Sequence, residues 1–151
     1  MDHVRSHVPE AKTVGKGRMS VMLWDVYDAA LYAPEGQWQE GQPFALQLSY
    51  LRPLSGKKIA DRSIEEMRDQ GFDDEIKLAA WHSQMRSIFP DVDNGMALTG
   101  VYTRAGESIF YLDSKEIGRI KDIDFSRAFF DIWLSDRTNA PTLRRKLLGQ
   151  S

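Results

Sequence analysis

The chain has 151 residues, enough for one globular domain with a substantial apolar core. Apolar residues make up 42% of it, which excludes a disordered chain. The 20 basic and 22 acidic residues leave a formal net charge of −2, so no overall field steers the protein toward nucleic acid or an anionic membrane. The absence of cysteine excludes disulfides, thiolate catalysis and zinc–thiolate sites.

The N-terminal segment differs in character from the rest of the chain. Residues 1–13 are mostly polar and predict a flexible leader, whereas residues 14–151 predict a single domain. The leader lacks the apolar core of a secretory signal. No apolar run approaches the roughly 20 residues that a membrane-spanning helix needs, so we expect no membrane span.

Apolar residues alternate in the first third of the chain and predict three strands. The first begins at Met19 and is apolar on both faces, which is typical of a strand covered on both sides. Residues 26–33 predict a second strand, which Pro34 and Gly36 end. Residues 43–51 predict a third strand.

Two helices and three short strands follow. Apolar residues at helical spacing predict a helix from Ser55 to Gly71 and another from Asp73 to Pro90. Residues 98–103, 108–112 and 116–120 predict three strands joined by tight turns.

The last part of the chain predicts two more helices. Asp124 is a natural cap for the first, whose apolar stripe consists of Phe125, Phe129, Phe130, Trp133 and Leu134. Residues 141–148 predict a short final helix. Because strands and helices are segregated, the order predicts an α+β fold, with an antiparallel sheet and helices packed on one face.

Most catalytic and cofactor motifs are missing. The sequence has no HExxH, no GxSxG and no complete phosphate-binding glycine loop, so we expect no metal site and no cofactor. His82 has no carboxylate or second histidine four residues away, which favours a surface or partly packed side chain. Asp25 and Asp28 are explained by solubility at a strand edge.

Arg18 and Tyr27 are the candidate ligand-binding residues. A guanidinium and a phenol that converge in an apolar cleft would hold a carboxylate through charge-assisted hydrogen bonds. The alternative is a surface arginine and an ordinary packed tyrosine. Their nine-residue spacing places them on opposite faces of a regular strand, so convergence requires a bulge, expected near Trp24 and Asp25.

Several segments together resemble the chalcone isomerase-like superfamily, in particular its bacterial branch. They are GKGR, DVYDAALYA, PFALQLSYLRPLSGKKIADRSIEEM, FPDVDNG, FYLDSKEIGRI and FSRAFFDIWLSDRTNAPTLRRKLLG, which cover nearly all of residues 14–149 in the family's order. The resemblance implies an open-faced β-sandwich, in which helices cover one face of a long antiparallel sheet and leave a cleft between them. Relatives in this branch often look exported, which suggests a periplasmic location.

The resemblance also bears on activity. Plant members that cyclise chalcones use an arginine, a threonine, a tyrosine and an asparagine. These positions fall on Arg18, Tyr27, Ile59 and Glu66, so only the arginine is retained and the cyclisation machinery is expected to be absent. Fatty-acid-binding members pair an arginine with a tyrosine around the ligand carboxylate, and Arg18 with Tyr27 is compatible with such a pair.

Three functions remain open at this stage. The sequence favours the first, a non-catalytic binding protein for a small apolar carboxylate ligand such as a fatty acid. The second is an isomerase or lyase that acts on a small enone, with Arg18 polarising an oxygen and Tyr27 as acid or base. The third is a protein-interaction module whose cleft is filled by its own four tryptophans and seven phenylalanines.

Overall fold

The computed structural model describes residues 1–150, which form a six-stranded antiparallel sheet and five helices. Every strand lies beside its neighbours in sequence, in the order β1 to β6. The strands are β1 (Ala11–Val21), β2 (Trp24–Pro34), β3 (Phe44–Tyr50), β4 (Ala97–Tyr102), β5 (Ser108–Leu112) and β6 (Lys115–Ile120). The helices are α1 (Asp2–Arg5), α2 (Gly56–Asp69), α3 (Glu75–Ile88), α4 (Ile123–Leu134) and α5 (Pro141–Leu147).

Helices α2 to α5 cover one face of the sheet and form the main core with it. Alternate strand residues such as Tyr27, Leu46 and Phe110 point to this face, where they pack against helix residues such as Met67 and Phe129. The predicted α+β fold and the predicted order of elements are therefore confirmed.

The N-terminal segment packs on the other face of the sheet. Val4 in α1 and Val8 just after it are fully buried against Ala45, Val101 and other residues of that face. β1 already begins at Ala11, so residues 1–13 are not the flexible leader that their polar composition predicts. Two buried valines give this short segment enough apolar surface to attach it to the sheet.

Helix starts are fixed by polar caps. The Ser55 hydroxyl accepts a hydrogen bond from the Lys58 amide at the start of α2. Asp122 caps α4, since its carboxylate accepts hydrogen bonds from the amides of Asp124 and Phe125. The cap therefore lies two residues before Asp124, the residue that the sequence predicts.

The β1–β2 hairpin contains the bulge that matters for the site. Met19 pairs with Tyr27 and Ser20 pairs with Asp25, so Val26 is the extra residue on β2. Two residues, Met22 and Leu23, form the turn, and Met22 has a φ of 57°. This bulge lies next to the predicted position, but it does not bring Arg18 and Tyr27 to one face.

Within residues 1–150, no helix is both long enough and apolar enough to cross a bilayer.

Candidate functional site

A cavity of about 610 Å³ lies between the sheet and the helices α2 and α4. Its volume is within the range of natural small-molecule sites. Apolar side chains from both layers form most of its wall, among them Leu46, Leu48, Leu98, Phe110, Ile59, Phe129, Phe130 and Ile132. The prediction of a cleft filled by its own side chains is therefore wrong: the aromatic residues line a space instead of closing it.

Alternation along the strands determines which side chains reach the cavity. In β2 and β3, Tyr27 and Tyr50 are cross-strand partners that both point toward the helices. Their rings lie 5.7 Å apart in an edge-to-face arrangement, and both residues line the cavity. The sheet thus presents two phenols side by side in an apolar wall.

The hydroxyl of Tyr27 has one partner among the neighbouring side chains. Trp133 of α4 donates a 2.8 Å hydrogen bond from its indole nitrogen to the Tyr27 oxygen. Because Tyr27 accepts this bond, its own proton is available to another acceptor. Tyr50 is 3% exposed, and within residues 1–150 its hydroxyl forms no hydrogen bond.

Both phenols are held in the neutral form. Burial raises the pKa of Tyr27 to about 12, although the hydrogen bond from Trp133 and the positive charge of Arg62 act against the rise. Burial also raises the pKa of Tyr50, and the neighbouring Tyr27 adds to the shift. At neutral pH the two residues are therefore hydrogen-bond donors and not bases.

Charged residues of α2 form the rim of the cavity. Lys58, Asp61, Arg62, Glu65 and Glu66 all border it. Arg62 lies 3.5 Å from Glu66, and its side chain is 63% exposed. Glu66 also accepts a 3.0 Å hydrogen bond from the Asn139 side chain. Arg62 is thus a solvent-exposed cation at the edge of the cavity, close enough to Tyr27 to lower its pKa.

Arg18 lies on the opposite face of the sheet from the cavity. It pairs across the strands with Asp28, and its guanidinium donates to the Asp28 carboxylate at 2.7 Å and to Asp25 at 3.2 Å. The side chain is 50% exposed. The expected convergence of Arg18 and Tyr27 is therefore corrected: Tyr27 lines the cavity and Arg18 does not. Asp25 and Asp28, which the sequence explains by solubility, are the hydrogen-bond partners that hold Arg18 on the face opposite the cavity.

His82 has a partner that its helix alone does not reveal. Its Nε2 atom lies 2.6 Å from the carboxylate of Asp61, which comes from α2. The ammonium of Lys57 and the imidazole of His82 lower the pKa of Asp61 to about 2. Within residues 1–150, no group of three or more histidine or acidic side chains is placed to hold a metal ion.

The two residues that the family resemblance aligns with the plant tyrosine and asparagine, Ile59 and Glu66, are both in α2. Ile59 and Glu66 both line the cavity. Ile59 has no hydrogen-bonding group, and the Glu66 carboxylate is already bound by Arg62 and Asn139. The sequence predicts no part in the site for Tyr50, Arg62 or Trp133. The alternation of apolar residues in β3 is a local signal that Tyr50 faces the helices. The contributions of Arg62 and Trp133 have no such signal, because they depend on tertiary packing.

Comparison with known proteins identifies the fold and the family. A family model described as chalcone isomerase-like matches residues 9–149. A crystal structure of an Arabidopsis thaliana fatty-acid binding protein superposes with a TM-score of 0.71 at 12% sequence identity, covering 93% of this chain and 88% of the other. No curated protein sequence is significantly similar to this chain.

Proposed function

Because the chain belongs to the chalcone isomerase-like family, we propose that it binds a small apolar ligand with an oxygen-bearing head group, such as a fatty acid. The observation that carries the proposal is the cavity of about 610 Å³, with its mostly apolar wall and two neutral phenols. The structural similarity to a fatty-acid binding protein supports the same class of ligand.

The apolar wall would supply most of the affinity. Each methylene group transferred from water into such a wall contributes about 0.8 kcal/mol. Leu46 and Leu48 from the sheet and Phe129 and Phe130 from α4 offer hydrocarbon on both sides of the space. A flexible acyl chain suits this cavity because it can follow an irregular wall.

The two phenols would hold the head group. Tyr27 and Tyr50 each have a proton to donate, and both residues line the same cavity. A carboxylate has the acceptor capacity for both bonds. Arg62 at the rim would supply the positive charge that compensates the carboxylate, after it exchanges its contact with Glu66.

We propose this ligand-binding role for Tyr27 and not for Arg18. The Arg18 guanidinium is on the wrong face of the sheet and is already neutralised by Asp25 and Asp28. The enzymatic alternative requires a general acid or base in the cavity. Tyr27, with a pKa near 12, is suited to donating hydrogen bonds but not to removing a proton at neutral pH.

Isothermal titration calorimetry with saturated fatty acids of increasing chain length tests the proposal. We expect affinity to rise with chain length until the cavity is full. Tyr27→Phe should weaken binding about tenfold, because a hydrogen bond to a charged group is lost. Leu48→Trp should abolish binding by filling the cavity. Ile76→Trp adds the same bulk at an exposed position of α3 and should leave binding unchanged. No binding of any chain length to the wild type would contradict the proposal.

A matched pair of arginine variants tests the assignment of the cation. Arg62→Ala should weaken binding of a fatty acid several-fold but leave the corresponding fatty alcohol unaffected, because only the acid carries a charge. Arg18→Ala should change neither affinity. The reverse pattern would assign binding of the ligand carboxylate to Arg18. Turnover of a chalcone followed by absorbance, lost in Tyr27→Phe, would support the enzymatic alternative instead.

A further inference from the structure

The tip of the β1–β2 hairpin carries four consecutive apolar residues that are exposed. Met22 is 92% and Leu23 is 97% exposed, so these two side chains contact almost nothing in the protein. Val21 and Trp24 on either side are 40% and 61% exposed. Single exposed apolar residues are common on protein surfaces, but a contiguous group usually marks an interaction site.

The hairpin extends beyond the rest of the sheet. The pairing of β2 with β3 ends at Tyr27 and Tyr50, whereas the pairing of β1 with β2 continues to Val21 and Trp24. The amide of Leu51 still donates a 2.9 Å hydrogen bond to the carbonyl of Val26, so two further residues of β2, about 7 Å of extended strand, lie beyond it. Met22 and Leu23 therefore lie at the end of a narrow projection.

The sides of the projection are polar. The guanidinium of Arg52 lies 4.1 Å from the ring centre of Trp24, in a cation–π arrangement. Nearer the sheet, Arg18 is neutralised by Asp25 and Asp28, so the hairpin carries no strong charge of one sign. An apolar tip, a tryptophan and a cation in succession match the layers that a protein meets on entering a bilayer.

The hairpin also forms part of the cavity wall. Met19, Ser20, Val21 and Val26 of the hairpin line the cavity together with residues of α2. Val21 therefore belongs both to the exposed tip and to the cavity wall. On β1, no charged side chain follows Arg18 before the tip.

We propose that the tip formed by residues 21–24 inserts into the surface of a lipid bilayer, which brings the hairpin wall of the cavity close to the lipid. The small size of the tip favours a bilayer over a protein partner, because a stable protein interface buries about 800 Å² per partner and a two-residue turn offers far less. Insertion through apolar groups also needs no basic surface, which agrees with the net charge of −2. This docking goes beyond ligand binding and does not require the proposed ligand.

Binding to phosphatidylcholine vesicles, measured by flotation, tests the proposal on the full chain. We expect the wild type to bind, and Met22→Asp and Leu23→Asp each to lower the partition coefficient about tenfold or more. Ile76→Asp is the matched control, since Ile76 is 85% exposed on α3 and lies outside the tip. Its partitioning should equal that of the wild type.

Fluorescence locates the inserted residue. Brominated phosphatidylcholine should quench the emission of Trp24, and Trp24→Phe should remove that quenching. Absence of vesicle binding by the wild type would overturn the proposal, as would equal loss in Ile76→Asp and Leu23→Asp. A concentration-dependent dimer that Leu23→Asp abolishes would instead assign the tip to a second copy of the chain.

The same variants separate this proposal from the proposed function. Leu23→Asp should retain the fatty-acid affinity of the wild type in solution, because its side chain does not line the cavity. Vesicle binding without ligand binding would refute the function and leave the docking surface in place.

Discussion

The indole nitrogen of Trp133 donates to the hydroxyl of Tyr27 across 106 residues of sequence, joining α4 to β2 at the wall of the cavity. Both residues are buried, at 7% and 8% exposure, so water is a poor substitute for either partner. The bond therefore fixes the phenol that we propose as a ligand contact, and it also contributes to the stability of the fold.

Tyr27→Phe should lower the free energy of unfolding by about 1–3 kcal/mol, because it leaves the Trp133 nitrogen buried without an acceptor. Urea denaturation followed by circular dichroism measures the change. Tyr50→Phe is the matched control and should cost less, since within residues 1–150 the Tyr50 hydroxyl forms no hydrogen bond. In Tyr27→Phe/Trp133→Phe the two losses should be clearly less than additive. Equal effects of the two tyrosine variants would mean that the bond contributes nothing.

Stability should fall at alkaline pH for a reason that can be assigned to Tyr27. Its pKa is about 12 in the folded protein and near 10 in the unfolded chain, so the folded state retains the proton longer. Its contribution is fully present below about pH 10 and is lost as the pH rises toward 12. Urea midpoints measured across this range should fall less steeply in Tyr27→Phe than in the wild type. An identical slope in both proteins would contradict the assignment.

Asp122 should be one of the least replaceable surface residues. Its carboxylate caps α4 through two backbone amides and also accepts a 3.1 Å hydrogen bond from the buried indole of Trp81. Asp122→Ala should therefore cost about 2–4 kcal/mol, as the sum of a lost cap and an unpartnered indole. Asp74→Ala, which removes only the cap of α3, should cost about 1 kcal/mol. Equal costs in thermal or urea unfolding would show that the contact with Trp81 is unimportant.

The sequence predicts the elements well because their signals are local. Alternation in Phe44–Tyr50 and the apolar stripe from Phe125 to Leu134 identify a strand and a helix without tertiary information. The position of a cap is also local, yet Asp122 and Asp124 are both suitable residue types. Only the structure shows that the first turn of α4 begins after Asp122 and not after Asp124.

The site was less predictable because its geometry depends on contacts between distant segments. The bulge at Val26 leaves Arg18 on the face with Asp25 and Asp28, and no pattern in β1 alone indicates which side the helices cover. The sequence predicts a role for Tyr27, but its hydrogen-bond partner Trp133 comes from the far end of the chain. The N-terminal segment is a similar case: its polar composition predicts a flexible leader, but Val4 and Val8 pack against the sheet and attach α1 to it.

Two glycines of β1 offer a test of how closely α5 approaches the sheet. A Cβ atom on Gly15 would collide with the backbone carbonyl oxygens of Lys146 and Leu147, which cannot move without displacing α5. A Cβ atom on Gly17 would lie 2.7 Å from a methyl group of Leu143, a side chain that can rotate away. Gly15→Ala should therefore cost about 3 kcal/mol in urea unfolding, and Gly17→Ala clearly less. Since both changes add one methyl group to the same strand, differences in strand propensity cancel between them. A larger cost at Gly17 would show that α5 is free to shift along β1, and that the rigid contact is made by the Leu143 side chain.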